Sequence, residues 1–303
     1  MTVFRIVGFG AVLVTAAVMV TGMVAAGERP TMSQVLEDST DDDWRKPDDA
    51  YTVYMKIPGG TVILEMAPEF APNVIENIRK LSASGFFDGT AIMRSQENYV
   101  VQWGDPLSET DEARSHGNAA ANIEAEFYRA ADGLDFIAID SRDAYADQVG
   151  FVNGFPAGKD SDGERAWLTH CYGMVGVGRG MATDSGNGAD LYVVTGHSPR
   201  HLDRNVVLVG RVLVGMELLT TLPRGTGPLG FYENAEQQVP IESMRFASDL
   251  PEDQHVDLRV LRTDTETFSD LVESRRYRAE EWFVDPTGRI GLCNVPIPVR
   301  TSQ

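Results

Sequence analysis

Several sets of residues have the types that chemistry needs, and spacing removes most of them. Gly173-x-x-Gly176-x-Gly178-x-Gly180 is rich in glycine, yet no P-loop lysine follows and the dinucleotide-binding spacing is absent. The histidines His116, His170, His197, His201 and His255 form neither an HExxH motif nor any paired-ligand spacing. His170 beside Cys171 is only half a zinc site, so no metal or cofactor is expected. Asp140, Asp143 and Asp147 lack the spacing of a calcium loop and read as a solvated face. Ser, His and Asp all occur, but no G-x-S-x-G nucleophile elbow does. Arg94 and Gln102 remain. Eight residues apart on consecutive strand-like segments, they could share one face. Taken alone, an arginine on a strand is a surface residue.

The elements that would position this pair follow from apolar patterning. Tyr51–Ile57 and Thr61–Met66 flank Pro58-Gly59-Gly60 and predict a β-hairpin. Ala71-Pro72 opens a helix in which Val74, Ile75, Ile78 and Leu81 recur at helical spacing, and Gly85 ends it. Strands are expected at Ala91–Arg94, Tyr99–Trp103, Gly173–Val177, Asp190–Thr195, Val206–Val214 and Ile241–Phe246, with a short helix over Gly215–Leu222. Residues 107–170 read as loop-rich, and beyond Pro251 come a strand-like piece, a helical piece and an aromatic-rich end. Many short strands with two helices predict one closed β-sheet rather than a doubly wound α/β fold.

Composition bounds the remaining possibilities. The chain has 303 residues, a formal net charge of −19 and two cysteines. It is long enough for one elaborated domain, too apolar for disorder and too poor in cysteine for a disulfide scaffold. Its acidity would repel phosphate, which excludes a basic nucleic-acid binder. Ile6–Ala26 carries no charge, follows Arg5 and ends in small residues, so residues 1–26 are read as a cleaved export signal, with an uncleaved anchor as the alternative. The protein is thus expected to be periplasmic or secreted, with no membrane association after cleavage. Residues 27–50 read as an acidic, solvated leader. In an oxidising compartment Cys171 and Cys293 could pair and staple the C-terminal tail to the main domain; two unrelated buried thiols are the alternative.

Two ordered blocks resemble the cyclophilin family of peptidyl-prolyl isomerases. The first holds Ala71-Pro72, Asn77, Leu81, Gly85-Phe86-Phe87-Asp88-Gly89-Thr90, Met93-Arg94, Tyr99-Val100-Val101-Gln102 and Gly104-Asp105-Pro106. The second holds Gly173-Met174-Val175, Gly188-Ala189-Asp190-Leu191-Tyr192-Val193, Leu202-Asp203, Val209-Gly210-Arg211-Val212 and Gly215-Met216. Together they cover about half of the chain. The resemblance implies a mainly β fold: a closed eight-stranded antiparallel barrel capped by two helices, over residues 51–250, with an insert at about 133–170 and a C-terminal extension, residues 251–303, packed on the barrel. It also implies an exported isomerase acting on proline-containing polypeptides, without a cofactor. The alternative is a non-catalytic cyclophilin-like chaperone or binding module.

By the resemblance, Arg94 is the catalytic arginine that donates to the prolyl amide nitrogen, and Gln102 positions it. Tyr99, Val100, Tyr192 and Leu202 match the proline pocket, where two hydroxyls and the short Val100 should make it somewhat more polar. Gly178 and Arg179 match positions whose backbone binds substrate peptide groups. Three residues depart from the family pattern. Asp190 stands for a glutamine and could pair with Arg94, His201 stands for a tryptophan used in cyclosporin binding, and Val206 stands for a histidine. These departures bear on rate, sequence preference and cyclosporin sensitivity rather than on the fold.

Overall fold

A computed structural model describes residues 29–301, and the expected export signal lies outside them. The hairpin is formed by β1 (Thr52–Ile57) and β2 (Gly60–Met66). Along β2 the side chains alternate as a strand requires: Val62, Leu64 and Met66 enter the main core, while Ile63 joins a smaller cluster on the other face. Helix α1 (Pro72–Ala83) begins with proline in its first turn and buries Val74, Ile75, Ile78 and Leu81 against the same core. Strands β3 (Ala91–Ser95), β4 (Val100–Gly104), β5 (Met174–Val177), β6 (Leu191–Val194) and β7 (Leu208–Val214) follow, then helix α2 (Met216–Thr220) and strand β8 (Ser243–Phe246).

The sheet is antiparallel and runs β3, β4, β6, β5, β7, β2, β1, β8, with the two-residue strand Val239–Pro240 on the outer side of β3. Its two outermost members belong to one stretch of chain. Val239 and Pro240 pair with Ile92 and Ala91, and Ser243–Phe246 pairs with Lys56–Val53. Between them the Ile241 amide donates to the Thr90 carbonyl and the Glu242 amide to the Lys56 carbonyl, at 2.8 and 2.9 Å. A single segment therefore contributes the outermost strand at both ends of the curled sheet. The mainly β architecture with two helices on the core is as expected. The count differs, because the seam segment is split into two short strands.

Two sequence readings are corrected. The stretch 107–170 is loop-rich only in its first part. Arg129–Ala130, Phe136–Ala138, Gln148–Val152, Phe155–Lys159 and Arg165–Leu168 form a second antiparallel sheet of five strands. Gly150, Pro156 and Gly158 interrupt its alternation, and such residues are turn signals when no partner strand is visible. Nor is the leader simply solvated. Met32–Glu37 is a helix capped reciprocally by Thr31 and Gln34, and it buries Val35. Trp44–Arg45 pairs with Leu258–Leu261, whose other side carries Val299–Thr301. A second apolar core joins leader, inserted sheet and tail through Val35, Phe151, Phe155, Leu168, Leu292 and, from helix α3 (Glu266–Tyr277), Phe268 and Leu271. Met174 and Leu208 of the barrel belong to this core too, so the added parts dock on the barrel.

One charged cluster clamps this junction. Glu65 of β2, 4% exposed, accepts from Arg45 of the leader at 2.5 Å and from Arg211 of β7 at 3.1 Å. Burial depresses the Arg211 pKa, and the Glu65 carboxylate opposes that shift. Glu65→Gln would leave two buried or half-buried guanidinium groups facing a neutral amide. Removing one partner of a buried pair should cost about 3 kcal/mol, read as a lower urea midpoint at unchanged slope.

Candidate functional site

Period-two alternation alone would put Ile92 and Arg94 on the same face, and Ile92 is in the barrel core. The register between β3 and β4 shifts at this point: Ile92 faces Trp103, and Arg94 faces Gln102. Met93 is the extra residue of a β-bulge, which turns Arg94 to the outer face beside Gln102. Arg94 Nη1 donates to Gln102 Oε1 at 3.0 Å, Nη2 donates to Gln96 Oε1, and Nε donates to the Leu229 carbonyl at 2.7 Å. Leu229 reaches this position with a left-handed φ of 57°. The Phe231 ring lies under the guanidinium, 5.3 Å from centroid to Cζ, and the Tyr99 ring lies 5.6 Å away. A guanidinium has five N–H donors. Three are held here, so one on each Nη is left for another acceptor. Burial lowers the Arg94 pKa, with Tyr99 opposing, but an arginine stays charged across the physiological range.

Next to this cation lies a small apolar cluster on the outer face: Val100, Tyr192 and Val194, with Tyr99 and Val206 packed on them. The His201 ring stacks on Tyr99 at 6.4 Å and 8°. Thus Tyr99, Val100, Tyr192, Val206 and His201 surround one site. Leu202 is half-buried on the adjoining 3-10 turn and is not a member of that cluster. The Gly178 amide is already donated to the Asp190 carbonyl at 2.8 Å, which removes it as a donor to substrate. Arg179 is exposed, and its Nε donates to the Asn205 carbonyl at 2.9 Å.

The Tyr192 hydroxyl does not make the pocket polar, because it is used behind it. Gly176 allows the ring to lie close: a Cβ there would sit 2.3 Å from Tyr192 Cζ. Asp203 Oδ1 accepts from the His170 amide at 2.9 Å and from His170 Nδ1 at 2.8 Å. This assigns the ring proton to Nδ1 and leaves Nε2 to accept the Tyr192 O–H at 2.7 Å. Burial pushes the His170 pKa down, against the Asp203 carboxylate, and pushes the Tyr192 pKa up. Asp203 Oδ2 accepts from Arg200 Nε at 2.6 Å, and Arg200 grips Asp143 with two further bonds of 2.7 and 2.9 Å. A chain of polar contacts therefore runs from the floor of the pocket to the inserted sheet. Sequence reasoning passed over His170, Arg200 and Asp143 in this role, as it did Gln96, Leu229 and Phe231. Besides Tyr192 itself, the Leu202-Asp203 match was the one signal that touched the chain.

Asp190 is not paired with Arg94; among the described residues it joins no ion pair. Its carboxylate lies against Gly104, where a Cβ would come within 2.0 Å of Oδ1, and its Cβ lies against Gly178. Oδ1 is buried with no hydrogen-bond partner. Burial first, then the Asp105 and Glu109 charges, raises its pKa to about 6. Cys171 and Cys293 are bonded at 2.00 Å, tying the tail to the segment that leads into β5.

Fold and site together define a cyclophilin. The chain belongs to the family described as cyclophilin type peptidyl-prolyl cis-trans isomerase/CLD, whose model matches residues 52–246, more than half of its length. It is similar to the cyclophilin AquaCyp293 from Hirschia baltica, with a TM-score of 0.69 and 26% identity over 90% of this chain and 98% of that one. That match extends well past the family-matched residues. A probable peptidyl-prolyl cis-trans isomerase of Brucella suis is 25% identical over 175 residues, 58% of this chain and 72% of its own. The peptidyl-prolyl cis-trans isomerase-like 2 of Gibberella zeae is 43% identical over 47 residues, 16% of this chain and 8% of its own.

Two predictions follow from this geometry. Tyr192→Phe keeps the pocket ring but leaves His170 Nε2 buried without its donor. Stability should fall by about 1–3 kcal/mol in urea unfolding, while ligand contacts to the ring are preserved. For Asp190, a folded pKa above the unfolded value of 3.8 means that the native state binds more protons between pH 4 and 6. Stability from this group is therefore complete at low pH and is lost as pH rises through about 6. Asp190→Asn should raise stability at pH 7 by on the order of 2 kcal/mol and have little effect at pH 4. His170, held neutral by burial, acts in the opposite sense, so thermal unfolding of variant and parent must be compared at each pH.

Proposed function

We propose that the protein is an exported peptidyl-prolyl cis-trans isomerase whose site is the outer barrel face around Arg94. Rotation of a peptide bond meets a barrier of about 18–20 kcal/mol from amide resonance, and X-Pro bonds have cis and trans forms of similar energy that exchange slowly. Catalysis then needs no nucleophile. The proline ring rests on Val100, Tyr192 and Val206, with Tyr99 at the rim. As the C–N bond twists, the nitrogen regains its lone pair and the two remaining Nη N–H groups of Arg94 can donate to it and to the neighbouring carbonyl. Their value lies in being fixed beforehand by Gln102, Gln96 and Leu229. That prior fixing of the guanidinium beside an apolar cluster is the observation that carries the reading. Membership of the isomerase family supports it. Export rests on the uncharged run Ile6–Ala26, and the Cys171–Cys293 bond is in keeping with an oxidising compartment.

The test is isomerisation of a short X-Pro peptide followed in a protease-coupled assay. Arg94→Ala should lower kcat/KM by roughly a hundredfold or more at unchanged thermal stability. Turnover by the parent no faster than the uncatalysed exchange would leave a proline-binding module without catalysis as the reading.

A further inference from the structure

We propose that the inserted sheet and the C-terminal tail build a second substrate subsite beside the proline pocket, one that takes carboxylate-bearing residues of the polypeptide flanking the proline. The proposal rests on the isomerase reading above and deepens it. A cleft of about 600 Å³ begins at Tyr99 and His201, the rim of the proline pocket, and continues between Arg142 and Tyr145 of the insert, Tyr172 and the tail residues 291–294. Because Tyr99 belongs both to the apolar cluster and to the cleft wall, a polypeptide whose proline sits in the first continues into the second.

The walls are built and held. Arg200 binds Asp143 through two hydrogen bonds, the Ser141 hydroxyl donates to the Ile290 carbonyl at 2.7 Å, and the Cys171–Cys293 bond anchors the tail beside Tyr172. Insert, barrel and tail are thus linked at the cleft itself, so its shape is formed before a ligand arrives.

The chemistry of the lining selects the occupant. Its only carboxylate, Asp143, is consumed by Arg200, whereas Arg142 is exposed and makes no ion pair among the described residues. Arg200 is neutralised twice over, by Asp143 and by Asp203, so Arg142 is the lining charge left unpaired among the described residues, on a chain whose net charge is −19. Tyr145 and Tyr172 are 46% and 52% exposed, and rings left in water beside a cation suit a peptide backbone carrying acidic side chains. An acidic segment would be repelled elsewhere on this surface and accepted here, so the cleft confers preference rather than raw affinity.

The test uses the full mature chain and NMR exchange measurements, which need no coupling protease. Three peptides share one Ala-Pro centre: an unflanked form, one flanked by two Glu on each side and one flanked by two Lys. The Glu-flanked peptide should have a KM about two- to fivefold below that of the Lys-flanked one at low salt, with the difference shrinking at high salt. Arg142→Glu should reverse the order, and the Arg142→Ala/Tyr145→Ser pair should abolish it, both leaving the unflanked peptide unchanged. Equal KM values for the two flanked peptides, or a preference that survives Arg142→Glu, would overturn the proposal. If the unflanked peptide is not turned over at all, the isomerase reading fails; calorimetric titration of the Glu- and Lys-flanked peptides still decides the subsite separately.

Discussion

The β-bulge at Met93 is the constraint on which the site depends. A strand that alternated regularly through Ala91–Ser95 would bury Arg94 in the same core as Ile92 and Trp103. An unpaired guanidinium in that core would be far too costly, and the fold would have no groove cation. One additional residue in β3 moves the charge to the outer face and sets it opposite Gln102 without disturbing the apolar layer beneath. The strand partners then do the rest: β4 supplies Gln102 and Val100, and β6, which pairs with β4, supplies Tyr192 opposite Gln102 and Val194 opposite Val100. The guanidinium and the apolar cluster are adjacent because they stand on successive rungs of one ladder.

The barrel does not hold this arrangement alone. Leu229, in the connection between α2 and β8, turns its carbonyl onto Arg94 Nε, and Phe231 backs the guanidinium. On the far side the inserted sheet reaches the pocket through Asp143, Arg200, Asp203 and His170. Buried charges survive there because each has its partner: Arg200 is shared between two carboxylates, and Asp203 also accepts from an amide. A network satisfied at every member specifies one geometry, and a change at any link reaches the Tyr192 ring.

How much of this was legible in the sequence divides along physical lines. β1 and β2 could be read because two apolar runs flank a Pro-Gly-Gly turn signal, and α1 because its buried residues recur at helical spacing. Arg94 and Gln102 could be singled out because both lie within one continuous motif. The inserted sheet could not be read, since Gly150, Pro156 and Gly158 lie inside strands whose stability comes from Phe151, Trp167 and the distant tail. The leader helix was hidden for the same reason: Val35 is buried by residues far along the chain. Asp190 was legible as a departure but not as an outcome. Only the fold shows that its carboxylate lies against Gly104 and leaves Arg94 free.

The same logic explains why a tyrosine can stand at position 192 in an apolar cluster. A phenol in an apolar pocket would either waste its donor or bind the substrate carbonyl in a fixed pose, which opposes rotation of that bond. Here the donor is spent on His170, itself kept neutral by burial and oriented by Asp203. The outer face of the cluster therefore presents the ring rather than the hydroxyl. What the hydroxyl adds is attachment: the ring becomes the last member of a chain anchored in the insert through Arg200 and Asp143. Floor rigidity and insert docking are consequently one property of this molecule, and the cleft beside Tyr99 is the space enclosed where they meet.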